Sequence, residues 1–254
     1  MRYLVLASLL VLLGAANATA RTLEAIRQRG ALTLCAHPNA LPYASRHGAI
    51  PGFQVEIAGA LAKQLGVSLE QHWVINSFQY RRADCDIILD AIADRAALAE
   101  VGLRMSRPDH RSGVVLAVGP KSGVASLTEL GPDLRVGVPV GSIASMTLGR
   151  RGVKSSPFAF EDDIMDALAK GEIDAAAVTP AAIGWFNKTH PDGRVRRIPA
   201  FEDDPDLNWN VVVGMVGPDE KLRQDVDAAL QALLADGTLA KIYARYDVEL
   251  QPPQ

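Results

Sequence analysis

The chain has 254 residues and a formal net charge of −3, and 48% of its residues are hydrophobic. This length predicts two modest lobes rather than one small domain. Basic residues cluster no further than the pairs Arg81-Arg82, Arg150-Arg151 and Arg196-Arg197, so the sequence argues against nucleic acid as a partner.

Residues 1–20 have the pattern of a secretory signal peptide. Arg2 supplies the positive charge, an apolar run covers residues 4–13, and Ala18 and Ala20 fit the small-x-small cleavage rule. No later stretch approaches the roughly 18 apolar residues of a membrane span. We expect cleavage after Ala20, a periplasmic location and no membrane insertion after signal removal; the alternative is a retained amino-terminal anchor.

The first part of the mature chain predicts a parallel βαβ unit. Apolar runs at 31–36 and 85–93 indicate two strands. Between them, apolar residues recur every four positions from Phe53 to Leu65, which predicts an amphipathic helix that Gly66 ends. The loop at 37–51 therefore opens at the carboxyl end of the first strand, where open α/β sheets bind ligands.

A polar, proline-broken connector is predicted at 103–112, and strands and helices alternate again beyond it. Besides the two strands already described, strands are predicted before the connector at 67–75 and after it at 114–118, 134–140, 173–179 and 209–216. The further helices are predicted at 21–30, 126–130, 142–152, 161–170, 180–188, 219–237 and 238–247. This order predicts an α/β fold.

The two cysteines, Cys35 and Cys85, would meet an oxidising compartment that permits a disulfide. Cys35 lies late in its predicted strand and Cys85 lies early in its own. If the two strands are parallel neighbours, this offset could exceed the roughly 7 Å Cα limit for a disulfide. The sequence leaves open a bridge or two buried thiols.

Three segments resemble family 3 of the periplasmic solute-binding proteins: GFQVEIAGALAKQLGV, GEIDAAAV and DEKLRQDVDAALQALLADGTLAKIYARY. The resemblance covers essentially the whole mature chain. It implies a two-lobed type II periplasmic binding fold, in which each lobe is a mostly parallel sheet flanked by helices and two hinge crossings join the lobes. Carried over to this chain, lobe 1 would comprise residues 21–112 and 210–254, and lobe 2 would comprise residues 113–209.

Within that family, CAHPNALPYA, CDIIL and SRPDHRSGVVLAV resemble the J components encoded with PQQ-dependent methanol and alcohol dehydrogenases. Here His37 replaces their usual acidic residue, and Asp109-His110 replace their paired tyrosines. The resemblance implies a non-catalytic accessory protein that binds a PQQ-dependent alcohol dehydrogenase subunit and supports its maturation. It implies no cofactor of its own.

The clamp that amino-acid receptors use is incomplete in this sequence. Such a receptor needs an acidic group for the ammonium and a bidentate arginine for the carboxylate. In family members that transport amino acids, the arginine follows the strand that starts here at Asp86, in a T-x-E-R-like turn. Arg95 comes early and lacks that context, and Thr179 stands where an acidic residue is expected. The alternative function is therefore the substrate-binding component of an ABC importer for a small polar solute that is not an ordinary amino acid. In that function the protein would pair with an ABC permease.

Polar residues at strand ends, at a helix start and in the connector are predicted to line the ligand cleft: Asn39, Tyr43, Asp90, Arg95, Arg107, Ser142 and Thr179. Ser142 would lie at a helix amino terminus, where backbone N–H groups favour an anion. Arg107 and Arg111 could reach the cleft or pair with surface acids, and the sequence leaves this open.

No metal site or catalytic site is predicted. The five histidines are scattered, and the acidic runs at 161–163 and 202–206 lack the spacing of a calcium loop. There is also no nucleophile elbow and no HExxH helix. A dehydratase-like enzyme remains a third alternative, since some proteins with this fold catalyse dehydration.

Overall fold

The computed structural model describes residues 21–80, 82–129, 133–198, 200–201 and 203–254. The predicted signal peptide, Arg81 and Glu202 lie outside these ranges. Within them, no helix is both long enough and apolar enough to cross a bilayer.

The described strands are β1 (Ala31–Ala36), β2 (Asn39–Ala40), β3 (Ala44–Ser45), β4 (Ser68–Trp73), β5 (Ile87–Ile92), β6 (Leu103–Met105), β7 (His110–Gly113), β8 (Val115–Val118), β9 (Val136–Pro139), β10 (Ser155–Phe158), β11 (Ala175–Val178), β12 (Arg196–Ile198) and β13 (Asn208–Val216). The described helices are α1 (Leu23–Arg29), α2 (Phe53–Leu65), α3 (Arg95–Glu100), α4 (Ile143–Arg150), α5 (Glu161–Lys170), α6 (Pro180–Thr189), α7 (Glu220–Ala235) and α8 (Thr238–Ala244). The predicted helix at 126–130 is a short 3-10 turn over Leu127–Glu129.

The first sheet has the order β4-β1-β5-β13-β6, and β7 also pairs with β13. Strands β4, β1 and β5 are parallel, as the βαβ prediction requires. Helix α2 buries Phe53, Ile57 and Leu61 in the same core as residues of α7 and α8. The stripe predicted from the four-residue spacing is therefore the face that packs.

The second sheet has the order β10-β9-β11-β8-β12. The chain enters it between β7 and β8 and returns to the first sheet between β12 and β13. Because β8 and β13, the strands reached by these crossings, run antiparallel to β11 and β5, both sheets are mixed rather than mostly parallel. We call the elements on the two sheets lobe 1 and lobe 2. The two-lobed α/β fold is confirmed, while the residue boundaries given above for the lobes remain predictions.

The connector predicted at 103–112 is more ordered than its polarity indicates. It contains β6 and β7, both antiparallel to β13 and separated at Pro108. Because β13 supplies the hydrogen bonds of both strands, β7 forms despite its polar sequence, HRSG, while β6 adds the buried side chain of Leu103. The side chains of Asp109 and His110 are buried as a result.

Cys35 and Cys85 form a disulfide, and their Cα atoms are 5.5 Å apart. Leu34 lies opposite Ile87 in the parallel pair of β1 and β5, but Cys85 lies in the turn before β5. The sequence argument against a bridge assumed that Cys85 lies early in a strand parallel to that of Cys35. Because Cys85 precedes β5, that argument does not apply. The alternative of two buried thiols is wrong.

The carboxyl-terminal tail beyond α8 contacts both lobes. The carbonyl oxygen of Asp247 packs against Gly184 of α6. Further along, the backbone N–H of Arg111 donates to the carbonyl of Gln251 at 3.0 Å. The N–H of Gln254 donates to the side chain of Asn210 at 2.9 Å. The tail thus joins the helix layer of lobe 2 to the crossing strands.

Gly184→Ala tests this contact, because a Cβ at this position would lie 2.0 Å from the carbonyl oxygen of Asp247. We expect the free energy of unfolding, measured in urea, to fall by about 1–3 kcal/mol through overpacking. Gly149→Ala in α4 is the matched control, since its new Cβ meets nothing within 4 Å. The control should be neutral or stabilising by up to about 1 kcal/mol. Equal stabilities of the two variants would contradict the packing role of Gly184.

Candidate functional site

A chain of hydrogen bonds links the two lobes across the cleft. The hydroxyl of Tyr43 in lobe 1 donates to Oγ1 of Thr179 in lobe 2 at 2.9 Å. Oγ1 of Thr179 donates in turn to Glu161 at 2.8 Å, and its backbone N–H donates to the other carboxylate oxygen at 2.6 Å. Thr179 also caps α6. These contacts hold the lobes in a closed arrangement.

Glu161 supplies the acidic group that the sequence lacks at Thr179. It comes from the first turn of α5, and both of its oxygens accept hydrogen bonds from Thr179. Burial raises the pKa of Glu161, although the two bonds from Thr179 oppose the rise. Burial and the nearby Glu161 charge also raise the pKa of Tyr43. Tyr43 therefore stays protonated and donates.

A second polar cluster forms around Asp90, the fourth of the six residues of β5, where the pairing with β13 is irregular. Its backbone is left-handed, with φ 54°. Carboxylate oxygen Oδ1 lies 3.7 Å from Nε2 of His110 and 3.5 Å from the hydroxyl of Tyr243. Oxygen Oδ2 is buried and has no partner among the described residues. Burial raises the pKa of Asp90 to about 6, and the His110 charge opposes this rise.

His110 lies between two buried carboxylates. Its Nδ1 is 2.9 Å from Oδ2 of Asp109, whose other oxygen has no partner among the described residues. Burial lowers the pKa of His110, but the bond to Asp109 and the charges of Asp109 and Asp90 more than offset this, so the pKa is raised. A protonated His110 balances one carboxylate and leaves the other uncompensated. The cluster therefore favours a proton or a cationic group.

Asp90 lines two cavities between the lobes. The cleft cavity, of about 340 Å³, has apolar walls that include Leu98 and Ile143, and its acidic groups are Asp90 and Asp94. No lysine or arginine of the described chain lines it. The hinge cavity, of about 390 Å³, is more polar, and lies beside β7 and the tail. Its lining includes Tyr43, Asp90, His110, Arg111, Tyr243 and Glu249.

Large apolar side chains are exposed beside the cleft cavity on both lobes. Phe78 is 89% exposed and Ile75 is 71% exposed, and they flank Ser77, which lines the cavity. On lobe 2, Val140 in the turn after β9 is 66% exposed and Met146 of α4 is 57% exposed, each three residues in sequence from Ile143, which lines the cavity. We call Ile75, Phe78, Val140 and Met146 the apolar rim.

Some of the residues predicted for the cleft do meet there. Tyr43 and Thr179 are hydrogen-bonded, and Tyr43 and Asp90 line the hinge cavity. Ser142 accepts from the N–H of Ser145 at 3.1 Å as the cap of α4, next to Ile143 of the cleft cavity. Their roles in binding remain predictions.

Other predicted residues lie elsewhere. Asn39 is exposed on β2 and lines neither of the two cavities. Arg95 and Arg107 line a separate cavity of about 670 Å³, between α3, β6 and α7. Arg95 begins α3, which directs it to that side, and Arg107 lies beside Asp227 of α7. The expectation that these two arginines reach the cleft is therefore corrected.

Glu161 and Tyr243 belong to the site although the sequence pattern does not predict them there, and the same holds for Asp109 and His110. In the sequence, Glu161 has the position of an acidic residue in the first turn of a surface helix. Tyr243 has the position of an apolar residue on the buried face of the last helix. Asp109-His110 did carry a signal, because this pair departs from the tyrosines of the J components. Within the described residues, no three His, Cys, Asp or Glu side chains converge as metal ligands.

Asp90→Asn tests the cost of the buried carboxylate. The raised pKa of Asp90, about 6 against an ordinary 3.8, means that its stability contribution is lost as pH rises through this window. A shift of this size corresponds to about 3 kcal/mol at most. We expect Asp90→Asn to be more stable than wild type at pH 8 by about 1–3 kcal/mol in urea unfolding. Asparagine also tolerates the left-handed backbone.

At pH 4 the two proteins should be equally stable, because wild-type Asp90 is then protonated. Above pH 6.5, both should still lose stability as His110, whose pKa is raised, gives up its proton. Asp192→Asn, which removes an exposed charge, is the control and should follow the wild type. Parallel pH profiles for wild type and Asp90→Asn would contradict the buried-carboxylate account.

Tyr43→Phe tests the contact between lobes. Removing the hydroxyl deletes the hydrogen bond to Thr179, so we expect the closed form to lose about 1 kcal/mol relative to an open one. Small-angle scattering should then report a larger radius of gyration. Tyr80→Phe is the control, because the Tyr80 side chain makes no hydrogen bond with the described residues. An unchanged scattering curve for Tyr43→Phe would contradict the role of this bond in closure.

Comparison with known proteins identifies the family. The model of the bacterial extracellular solute-binding proteins, family 3, matches residues 32–249. The histidine-binding periplasmic protein of Escherichia coli strain K12 is 26% identical over 267 residues, which cover 98% of this chain and 99% of that protein.

Solved structures show the same fold at lower identity. An ancestral cationic amino acid solute-binding protein is 21% identical with a TM-score of 0.74, covering 89% of this chain and 99% of its own. The periplasmic binding protein XoxJ from Methylobacterium extorquens AM1 is 22% identical with a TM-score of 0.68, covering 86% of this chain and 98% of its own. Proteins of family 3 are generally not enzymes. The present chain belongs to the bacterial extracellular solute-binding proteins, family 3.

Proposed function

We propose that this chain is a non-catalytic periplasmic accessory protein that docks on a PQQ-dependent alcohol dehydrogenase subunit and supports its maturation or activation. The observation that carries the proposal is the apolar rim, which exposes large side chains on both lobes, close in sequence to Ser77 and Ile143 of the cleft cavity. In this proposal the dehydrogenase contacts the apolar rim, and the cleft faces the interface between the two proteins.

The rim has the composition of a protein interface. Aromatic residues and methionine are enriched in interfaces, and exposed apolar patches mark surfaces that another molecule covers. Phe78, at 89% exposure, contacts almost nothing in its own chain. Its burial by a partner would contribute on the order of 2 kcal/mol.

The cleft cavity itself is poorly suited to a free amino acid. Among the described residues no lysine or arginine lines it, so the carboxylate of an amino acid would be buried beside Asp90 and Asp94 without a cation from them. Burying an unpaired charge is costly, and like charges nearby raise the cost further. A partner protein that places no carboxylate in the cleft cavity avoids the free-energy cost of burying an unpaired charge there.

The identity of the partner rests on resemblance. The segments around Cys35, Cys85 and Pro108 resemble the J components, and XoxJ is among the similar structures. The periplasmic location rests on the predicted signal peptide and on relatives that are periplasmic. A disulfide between Cys35 and Cys85 fits an oxidising compartment.

The double variant Phe78→Ser, Met146→Ser tests the docking surface. Both side chains are exposed, so the fold should persist while the affinity for the dehydrogenase falls. Loss of two interface side chains should weaken binding at least tenfold. The measurement is titration of the purified dehydrogenase subunit from the same organism against each variant by biolayer interferometry.

Ile50→Ser is the matched control, since Ile50 is also an exposed aliphatic residue, at 43%, and does not line the cleft cavity. It should bind as wild type does. If the double variant also binds the dehydrogenase as wild type does, the apolar rim is not the docking surface. If wild type does not bind at all, the accessory function is wrong.

The hinge cavity favours a second candidate, the substrate-binding component of an ABC importer. This cavity is polar, and it offers Arg111 and Asp90 as oppositely charged groups, so a small polar solute could be held there. Native mass spectrometry of the gently isolated protein distinguishes the candidates. A captured solute of a few hundred daltons, lost on unfolding, would support the importer function, whereas a complex with a dehydrogenase subunit would support the accessory function.

A further inference from the structure

The two arginines that sequence reasoning assigned to the cleft meet at another site. Arg95 of α3 and Arg107 of the connector line a cavity of about 670 Å³ together with Arg104 of β6 and Arg223 of α7. We call this the arginine cavity. It involves only lobe 1, and neither Asp90 nor the apolar rim lines it. The accessory function proposed above does not use it.

The positive charge in the arginine cavity exceeds the negative charge. Arg223 bonds Glu220 at 3.1 Å and Asp227 at 2.7 Å. Nε of Arg107 lies 4.0 Å from the same Asp227. Those two carboxylates are thus engaged by these two arginines.

The other two arginines have no such partner. Arg95 and Arg104 are exposed and form no ion pair with the described residues. Arg104 lies close enough to contribute to the lowered pKa of Glu220, after the larger effect of the hydrogen bond from Arg223. Two guanidinium groups therefore line the cavity without an ion pair to the described residues, in a chain whose formal net charge is −3. A local excess of this kind attracts anions.

Part of the wall of the arginine cavity is apolar. Leu98 and Leu103 are buried behind it, and Met105 and Pro108 also line it. An inorganic anion would use the guanidinium groups and leave this surface uncovered. An organic anion would use both, since guanidinium groups bind carboxylates in bidentate pairs and its carbon skeleton would cover the apolar wall.

We propose that the arginine cavity is a binding site for a small polyvalent carboxylate with an apolar body. At least two carboxylates are needed to match Arg95 and Arg104, and the cavity volume falls in the range of small-molecule sites. The ligand neutralises the excess charge and packs against Leu98 and Met105. Leu98 and Leu103 line both this cavity and the cleft cavity, but no residue of the apolar rim lines it, so it is open to a ligand while a partner occupies the rim.

Isothermal titration of the full folded protein at low ionic strength tests the site with four probes: 1,3,5-benzenetricarboxylate, citrate, benzoate and inorganic phosphate. We expect benzenetricarboxylate to bind most tightly, citrate less tightly, and benzoate and phosphate at least tenfold more weakly than benzenetricarboxylate. The affinity should fall as salt is added, because the contacts are ionic and exposed.

The double variant Arg95→Gln, Arg104→Gln should weaken benzenetricarboxylate binding at least tenfold. Neither side chain is in an ion pair with the described residues, so the thermal unfolding midpoint should stay at the wild-type value and report an intact fold. Arg46→Gln removes one exposed positive charge elsewhere and is the matched control, with unchanged binding.

Several results would overturn the proposal. These are no binding of benzenetricarboxylate at millimolar concentration, equal binding of benzoate, tighter binding of phosphate, or an unchanged affinity in the double variant. If an acidic hexapeptide binds more tightly than benzenetricarboxylate, the ligand of the site is an acidic protein segment and not a small anion. None of these outcomes depends on the dehydrogenase experiment, so the two proposals fail separately.

Discussion

The carboxylate of Asp90 is the constraint on which the space between the lobes depends. It lies within β5, and it faces His110 from strand β7 and Tyr243 from α8. This residue costs free energy in two ways: one oxygen of its buried carboxylate accepts no hydrogen bond from the described residues, and its backbone is left-handed. Because both interlobe cavities share this residue, whatever binds in either of them meets the same charge.

Around this charge, the chain keeps the family fold but redistributes the ionic groups. The acidic group expected at Thr179 comes from Glu161 on the neighbouring helix, and it is occupied by hydrogen bonds from Thr179. The arginine that sequence spacing suggested, Arg95, faces the outside of lobe 1. The cleft cavity is left acidic at its base and apolar at its rim. This combination fits a protein interface better than a free amino acid.

Local signals predicted the fold well. Thr22 caps α1, Gly30 and Gly66 end α1 and α2 in the left-handed conformation, and Pro180 begins α6. Each of these residues acts within one turn of its own position. The apolar spacing of α2 likewise needed only neighbouring residues, and the family resemblance supplied the two lobes.

What sequence reasoning missed depends on contacts between distant segments. Strands β6 and β7 both pair with β13, and β7 forms there although its own sequence, HRSG, is polar. The disulfide depends on the turn that places Cys85 before β5. Asp109 and His110 became buried only once β7 paired with β13. No local pattern encodes these distances, so the polar cluster at the hinge could not be placed from the sequence.

The central claim is that the apolar rim docks on a quinoprotein dehydrogenase, and photocrosslinking at Phe78 tests it most directly. The residue is replaced by p-benzoylphenylalanine in the protein expressed in its own host, and the cells are irradiated. Since Phe78 is 89% exposed, the probe leaves the fold undisturbed and reports what covers the rim. The account predicts a crosslink to a PQQ-dependent alcohol dehydrogenase subunit. A crosslink to the permease of an ABC importer instead would contradict it.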